Sequence, residues 1–301
     1  MTARPLVLLA LRDGARHLSA QLDSIAEQEG GAPDVLVSDD GSTDDGPAIA
    51  AARGARVIEG PRAGAAANFL HLLRAAGPEA AHVSLSDQDD LWLPDKTRRA
   101  LAALADVPPG VPAVHCGRTT IADAEGRPLR PSVLHARPPS FANALVQSLA
   151  GGNTMTLNRA ALDLVQAASV EPERIVVHDW WIYQIVSGAG GRMVYDPQPL
   201  LLYRQHGGNE IGENTTAGAL LRRAALVMGG RFREWSEVNV AALHASRHRL
   251  TAEARATLEG FAALRRMGPR GRMAMRRRLG LHRQTRMGDA ALGAAIALGR
   301  I

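Results

Sequence analysis

The chain has 301 residues, 46% hydrophobic and 22% charged, which suits one large globular domain or a catalytic domain with an extension and excludes a disordered chain. Basic residues number 35 against 30 acids, but Lys96 is the only lysine, and Asp95 before it excludes a G-x-x-x-x-G-K-[ST] phosphate loop. The single cysteine, Cys116, excludes an intramolecular disulfide and a multi-cysteine zinc site, and points to a reducing compartment.

Leu6 to Leu11 is a short apolar run, broken by Arg12 and Asp13, that reads as a buried strand rather than part of a signal peptide. A helix follows with Leu18, Leu22, Ile25 and Ala26 on one face. Val35 to Ser38 is a second strand, ending in Asp39-Asp40-Gly41-Ser42-Thr43-Asp44 before an alanine-rich helix around 46–53. Arg56 to Glu59 is a third strand, Ala65 to Ala76 a helix, and His82 to Ser86 a fourth strand running into Asp87-Gln88-Asp89-Asp90. Pro94 opens a helix to about Ala105. Strands that end in acidic loops and are each followed by a helix gather those loops at the carboxyl edge of a sheet, where open α/β sheets bind ligands.

Further on, Ala113 to Thr119 is a strand, Asp123 to Gly126 a hairpin turn and Pro131 to Pro139 an irregular loop. Phe141 to Leu149 reads as a helix, Asn153 to Leu157 as extended, Arg159 to Ala168 as a helix, and His178 to Val186 as a Trp-rich helix closed by Ser187-Gly188. Met193 to Tyr195 and Leu200 to Tyr203 complete the sheet. Residues 207–217 read as a hinge, followed by arginine-rich helices broken at Gly229-Gly230 and Gly268-Pro269. Charge divides with this organisation: residues 1–216 carry 18 basic and 25 acidic side chains, residues 217–301 carry 17 and 5. No stretch reaches the roughly 18 to 20 apolar residues that a membrane span needs, so a soluble or peripheral protein is expected.

Four constellations carry chemistry. Asp87 and Asp89 stand at i and i+2 on a strand end, so their carboxylates can meet on one divalent cation, or on a cation and a sugar hydroxyl; a solvated, helix-capping turn is the alternative. Asp39 and Asp40 can accept a base N–H or a ribose hydroxyl; the alternative is an ordinary capping box with Asp39 or Ser42 as the cap, and Asp44 is better read as a helix cap. Asp179, beside Trp180 and Trp181, combines a partly desolvated carboxylate with flat indole faces suited to sugar rings; the alternative is a capping Asp on a helix with core tryptophans. His206 adds an imidazole that can complete a metal site with the upstream carboxylates; a structural or exposed histidine is the alternative.

Five segments in order resemble glycosyltransferase family 2, and more narrowly its bacterial rhamnosyltransferase-like members: V-S-D-D-G-S-T-D (37–44), S-D-Q-D-D-L-W-L-P-D-K (86–96), G-N-T-M-T-L-N-R (152–159), H-D-W-W (178–181) and Y-D-P-Q-P-L-L-L-Y-R-Q-H-G-G-N (195–209). The resemblance covers roughly residues 5–212. It implies a GT-A catalytic domain over 1–212, a Rossmann-like mixed α/β sheet flanked by helices, with a basic, mainly helical extension over 213–301. It also implies inverting transfer of a sugar, L-rhamnose from dTDP-rhamnose by preference, from a nucleoside diphosphate sugar to a saccharide or lipid-linked precursor of a cell-surface polysaccharide or glycolipid. Asp40 would then contact the base, Asp87 the ribose or metal, Asp89 the Mn²⁺ or Mg²⁺ as principal ligand and His206 the same metal, with Asp179 as general base and Trp180 or Trp181 on the acceptor side. Asn68 lies where relatives often place an Asn near the nucleotide, though a helix start explains it equally well. Arg12-Asp13 replaces the usual Tyr-Asn-like pair, and Ala67 a common basic residue.

The arginine-rich tail has two readings: amphipathic helices on an anionic membrane at the cytoplasmic face, or a helical extension packed on the catalytic domain or on another subunit of a homo-oligomer. Nucleic acid is not an expected partner, because aromatic interleaving is sparse. A non-catalytic nucleotide-sugar-binding protein is the rival from another class. A sugar-phosphate nucleotidyltransferase is the rival enzyme, and its G-x-G-T-R loop is missing.

Overall fold

A computed structural model describes residues 4–205 and 231–301. The chain forms two compact units: Met1–Leu134, Ala150–Ser169 and Gly191–Gly208 make the first, and His135–Leu149, Val170–Gly190 and Asn209–Ile301 the second.

The first unit opens as an alternating α/β layout: β1 (Leu6–Leu11), α1 (Ala15–Ala26), β2 (Asp34–Asp39), α2 (Gly46–Ala52), β3 (Arg56–Glu59), α3 (Ala65–Ala75) and β4 (His82–Ser86). It continues with β5 (Leu91–Trp92), α4 (Lys96–Ala105), β6 (Ala113–Ala122) and β7 (Pro128–Pro131). After α5 (Phe141–Ala144), which belongs to the second unit, come β8 (Thr156–Asn158) and α6 (Arg159–Ala168). The helix α7 (His178–Gly188) is again in the second unit, and β9 (Arg192–Arg204) returns to the first.

The strands form one mixed sheet in the order β3-β2-β1-β4-β8-β6-β9-β5, with β7 on β6. β1, β2, β3 and β4 run parallel, and β8 enters antiparallel between β4 and β6. β1 is apolar along its whole length because both of its faces are covered. Val7, Leu9 and Leu11 pack with Leu18, Leu22 and Ile25 of α1, while α3 lies against β1 and β2. Each such fully buried aliphatic side chain contributes roughly 1.5–3 kcal/mol.

Most of the expected elements are present, with some differences; Asn153 and Thr154, expected as extended, lie in a single 3₁₀ turn, Gly152–Thr154, ahead of β8. On α1, Ala26 is exposed and Gln21 is buried instead, because its amide hydrogen-bonds Ser86 Oγ at 2.7 Å. α4 begins at Lys96 rather than at Pro94, since β5 pairs with β9, Leu93 N–H donates to Leu200 O at 3.0 Å, and Pro94 O accepts from Glu29 N at 2.9 Å. Residues 141–149 hold only the short helix α5, capped by Ser140; past it, Gln147 Oε1 accepts from Gln284 N at 2.9 Å. The two expected strands of 193–203 are one strand, β9, which passes the Pro197 and Pro199 region through register shifts against β6. The Asp123–Gly126 turn forms as expected, with Gly126 at φ 83° and its N–H donating to Asp123 O at 3.0 Å.

In the second unit, α8 (Arg231–Ala245), α9 (Ala252–Ala263), α10 (Pro269–Arg278) and α11 (Arg286–Ala297) follow. Thr251 caps α9 and Thr285 caps α11, and Gly268-Pro269 opens α10 with proline in its first turn. The hinge at 207–217 and the break at Gly229-Gly230 lie outside the described residues. No helix among the described residues is long and apolar enough to cross a membrane.

Candidate functional site

The parallel neighbours β2, β1 and β4 bring the loops at 12–14, 40–45 and 87–90 to one edge of the sheet. These loops are laced together by side chains that bond to the backbone of their neighbours. Gln88 closes a two-way pair with the Arg12 peptide, its Oε1 accepting from Arg12 N at 2.8 Å and its Nε2 donating to Arg12 O at 3.0 Å. Asp13, at φ 47°, accepts from Thr43 N (2.7 Å) and Thr43 Oγ1 (3.0 Å), and its own N–H donates to Ser42 Oγ (2.9 Å). The Thr43 amide holds the Asp13 carboxyl below its ordinary pKa. Asp44 accepts from Ala15 N at 2.8 Å, at the start of α1, and from Gly46 N at 2.9 Å, but Asp45 and not Asp44 is the N-cap residue of α2.

Asp39 Oδ1 accepts from Ser42 N at 3.0 Å. Asp40 is buried and gives one oxygen to Ala63 N (3.2 Å) and the other to Gly64 N (2.7 Å), with Arg12 Nη1 3.9 Å away. Asn68, buried in the first turns of α3, donates to Ser38 O at 2.9 Å and so ties α3 to the end of β2.

Asp87 and Asp89 are half-buried, and Asp90 beside them is fully buried. Burial raises the pKa of Asp90, and the charges of Asp87 and Asp89 raise it further. Asn153 Nδ2 donates to Asp90 Oδ2 at 2.5 Å, and Arg204 N to Asp90 Oδ1 at 3.4 Å. Arg204 also donates from Nε to Asp89 O (2.8 Å) and from Nη1 to Ala124 O (3.0 Å). Below the loop the Lys96 ammonium is buried, 3.5 Å from the centre of the Trp92 ring. Burial pulls its pKa down to about 7, against the pull of Asp90.

The donor set at Asp87 and Asp89 fits a hard divalent cation: oxygen ligands in partial contact with solvent, in a concentration of negative charge that Asp90 registers. Cations such as Mg²⁺ are commonly held by one or two carboxylates together with substrate phosphates. Among the described residues no group of three or more His, Cys, Asp or Glu side chains is arranged to hold a metal, and His206 lies outside the described residues.

In the second unit, Asp179 sits half-buried in the first turn of α7, where its carboxylate accepts from the Trp180 amide. Val177, not Asp179, is the N-cap residue. Trp180 is buried, donates from Nε1 to Ala144 O at 2.6 Å and meets Trp235 edge-on at 6.3 Å; Trp181 is wholly buried. The indole faces expected on the acceptor side are therefore buried, because α7 is apolar around most of its circumference. His178 is buried too, and burial lowers its pKa to about 3.

Gln88, Asp90, Lys96, Asn153 and Arg204 complete the site without having been singled out as site residues, although all five lie inside the quoted segments. The signal available was the placing of a buried-type amide or a lone cation within strongly patterned strand ends.

The family model for glycosyl transferase family 2 matches residues 15–164. The dTDP-rhamnosyl transferase RfbG of Shigella flexneri is 24% identical over 244 residues, which span 75% of this chain and 81% of that protein. Among solved structures, the mannosyltransferase PcManGT from Pyrobaculum calidifontis in complex with GDP-Man and Mn²⁺ superposes with a TM-score of 0.51 at 19% identity, over 99% of this chain and 86% of that one. TarS 1–349 of S. aureus in complex with UDP-GlcNAc gives 0.55 at 13% identity, over 99% and 90%.

Proposed function

The chain belongs to glycosyl transferase family 2 and is a glycosyltransferase of GT-A fold, and from that premise we propose that it is an inverting, metal-dependent enzyme acting on a nucleoside diphosphate sugar. The favoured donor is dTDP-rhamnose, supported by the likeness to RfbG, and the proposed acceptor is a saccharide or lipid-linked precursor of a surface polysaccharide or glycolipid on the cytoplasmic side. The observation that carries the reading is the convergence of Asp39, Asp40, Asp87 and Asp89 on the carboxyl edge of three adjacent parallel strands, in loops locked to one another by hydrogen bonds.

In this reading Asp39 and Asp40 face the base and ribose. A carboxylate has about four acceptor positions, so Asp40 keeps capacity for a base N–H beyond the two loop amides it already binds. Asn68 holds the nucleotide side together by fixing α3 to β2. Asp87 would reach the ribose or the metal, Asp89 would be the principal ligand of Mn²⁺ or Mg²⁺, and His206 would be the third ligand. A cation held by these residues would supply positive charge against that of the departing diphosphate. The acceptor hydroxyl gives its proton to the Asp179 carboxylate while its oxygen attacks the anomeric carbon opposite the diphosphate; the carbon–oxygen bond to the diphosphate breaks and the configuration inverts.

Purified protein incubated with Mn²⁺ or Mg²⁺ and a panel of nucleoside diphosphate sugars is expected to release nucleoside diphosphate from one of them, dTDP-rhamnose first. Inertness across the panel with plausible acceptors, together with no donor binding, would overturn the proposal.

A further inference from the structure

From Glu259 to Asp289 the chain has no acidic residue between, and it carries nine arginines there. They divide into two groups. Arg265, Arg272, Arg276 and Arg283 are half-buried and used internally. Arg272 donates to Leu264 O (3.3 Å) and Ala297 O (3.1 Å), Arg276 meets Asp289 at 2.9 Å, Arg265 meets Glu237 at 3.2 Å and Ile301 O at 3.1 Å, and Arg283 stands over Phe232 at 5.4 Å. Arg266, Arg270, Arg277, Arg278 and Arg286 are exposed and make no ion pair among the described residues.

Helical periodicity explains the division. On α10, Arg272 and Arg276 are one turn apart on the side that bonds to α11, whereas Arg270, Arg277 and Arg278 share the opposite side around exposed Ala274. The result is a helix face of cations with no counter-charge of its own. Met287 and Leu298, at the two ends of α11, are 64% and 62% exposed. α10 itself contains no Phe, Tyr, Trp or His, and from residue 236 onward the one Phe, Tyr or Trp is Phe261, which is buried, so the face offers no ring for base stacking.

We propose that the outer face of α10, with the exposed Arg266 and Arg286 that flank this helix in the chain, is a docking surface for an anionic lipid bilayer. Diffuse negative charge is the complement of a row of guanidinium groups without an acidic partner among the described residues, and exposed Met and Leu side chains suit the headgroup boundary. The inference goes beyond the transfer activity and does not depend on it.

The full chain is tested by flotation with vesicles of phosphatidylcholine alone, or with about one-quarter phosphatidylglycerol, at roughly 0.1 M and 0.5 M salt. Expected is binding to the anionic vesicles at the lower salt and release at the higher. Each basic residue at such a surface multiplies binding roughly fivefold, so R270Q/R277Q/R278Q should weaken it by about a hundredfold, with the melting temperature and solution donor hydrolysis unchanged. R270K/R277K/R278K should keep it, as should R16Q/R56Q, which changes exposed arginines of the first unit. Equal binding to neutral vesicles, no binding to either kind, or full binding by the glutamine variant would overturn the proposal. So would displacement of the vesicles by a nucleic-acid duplex, which would make the face a nucleic-acid surface. Donor hydrolysis in the absence of vesicles reads the transfer activity separately.

Discussion

Replacing Lys96 by methionine removes the one lysine of the chain from a place where its charge is hard to keep. The ammonium is fully buried over Trp92 and has no hydrogen-bond partner among the described residues. Burial lowers its pKa from 10.5 to about 7. The folded pKa lies below the unfolded one, so between those values the unfolded chain holds the extra proton. Stability of the natural protein therefore rises with pH across that window and loses this contribution as pH falls towards 7. At about 1.4 kcal/mol per unit, and with the group half-titrated at the lower end, the gain between about pH 7 and pH 9 is about 2 kcal/mol. Methionine keeps an unbranched chain against the indole and carries no proton. Urea unfolding of both proteins across this range is the assay: the stability of the natural protein minus that of Lys96→Met should climb by about 2 kcal/mol. Two pH curves that run parallel would refute a buried, depressed ammonium at this position.

Gln88→Ala removes both hydrogen bonds to the Arg12 peptide. It is expected to cost about 1–2 kcal/mol and to weaken donor binding several-fold, measured by thermal unfolding and by nucleotide-sugar titration. Asp179→Asn should lower turnover by roughly 10²–10⁴-fold while donor binding stays within about a factor of two; a loss of binding that matches the loss of rate would remove Asp179 from the role of base.

The first four strands and three helices were legible because they are local patterns: LVLLAL and HVSLS are buried runs, and α1 repeats its apolar residues at helical spacing. β5 was not, since two residues carry no period, and it exists because Leu91 and Trp92 find Leu202 and Leu201 across more than a hundred positions of chain. The same distinction holds in the site. Asp39, Asp40, Asp87 and Asp89 announce themselves by composition at strand ends. The roles of Gln88 and Asn153 depend on partners 76 and 63 residues away. Tryptophan beside aspartate has the same spelling whether the indole meets a sugar or a helix, and only the packing of α7 places Trp181 in the interior. The arginines of α10 likewise look uniform in sequence, and they separate once Arg272 and Arg276 are seen bonded to α11.

The lacing of the three acidic loops bears on how such an enzyme can be re-engineered. The polar groups of each loop are matched to the backbone of another: Gln88 to Arg12, Asp13 to Thr43, Asp44 to Ala15. A loop grafted alone from a relative with other donor tastes would arrive with donors and acceptors that find no counterpart and would leave the resident ones stranded. The unit of exchange is the trio 12–14, 40–45 and 87–90, moved as one piece with Gln88 retained.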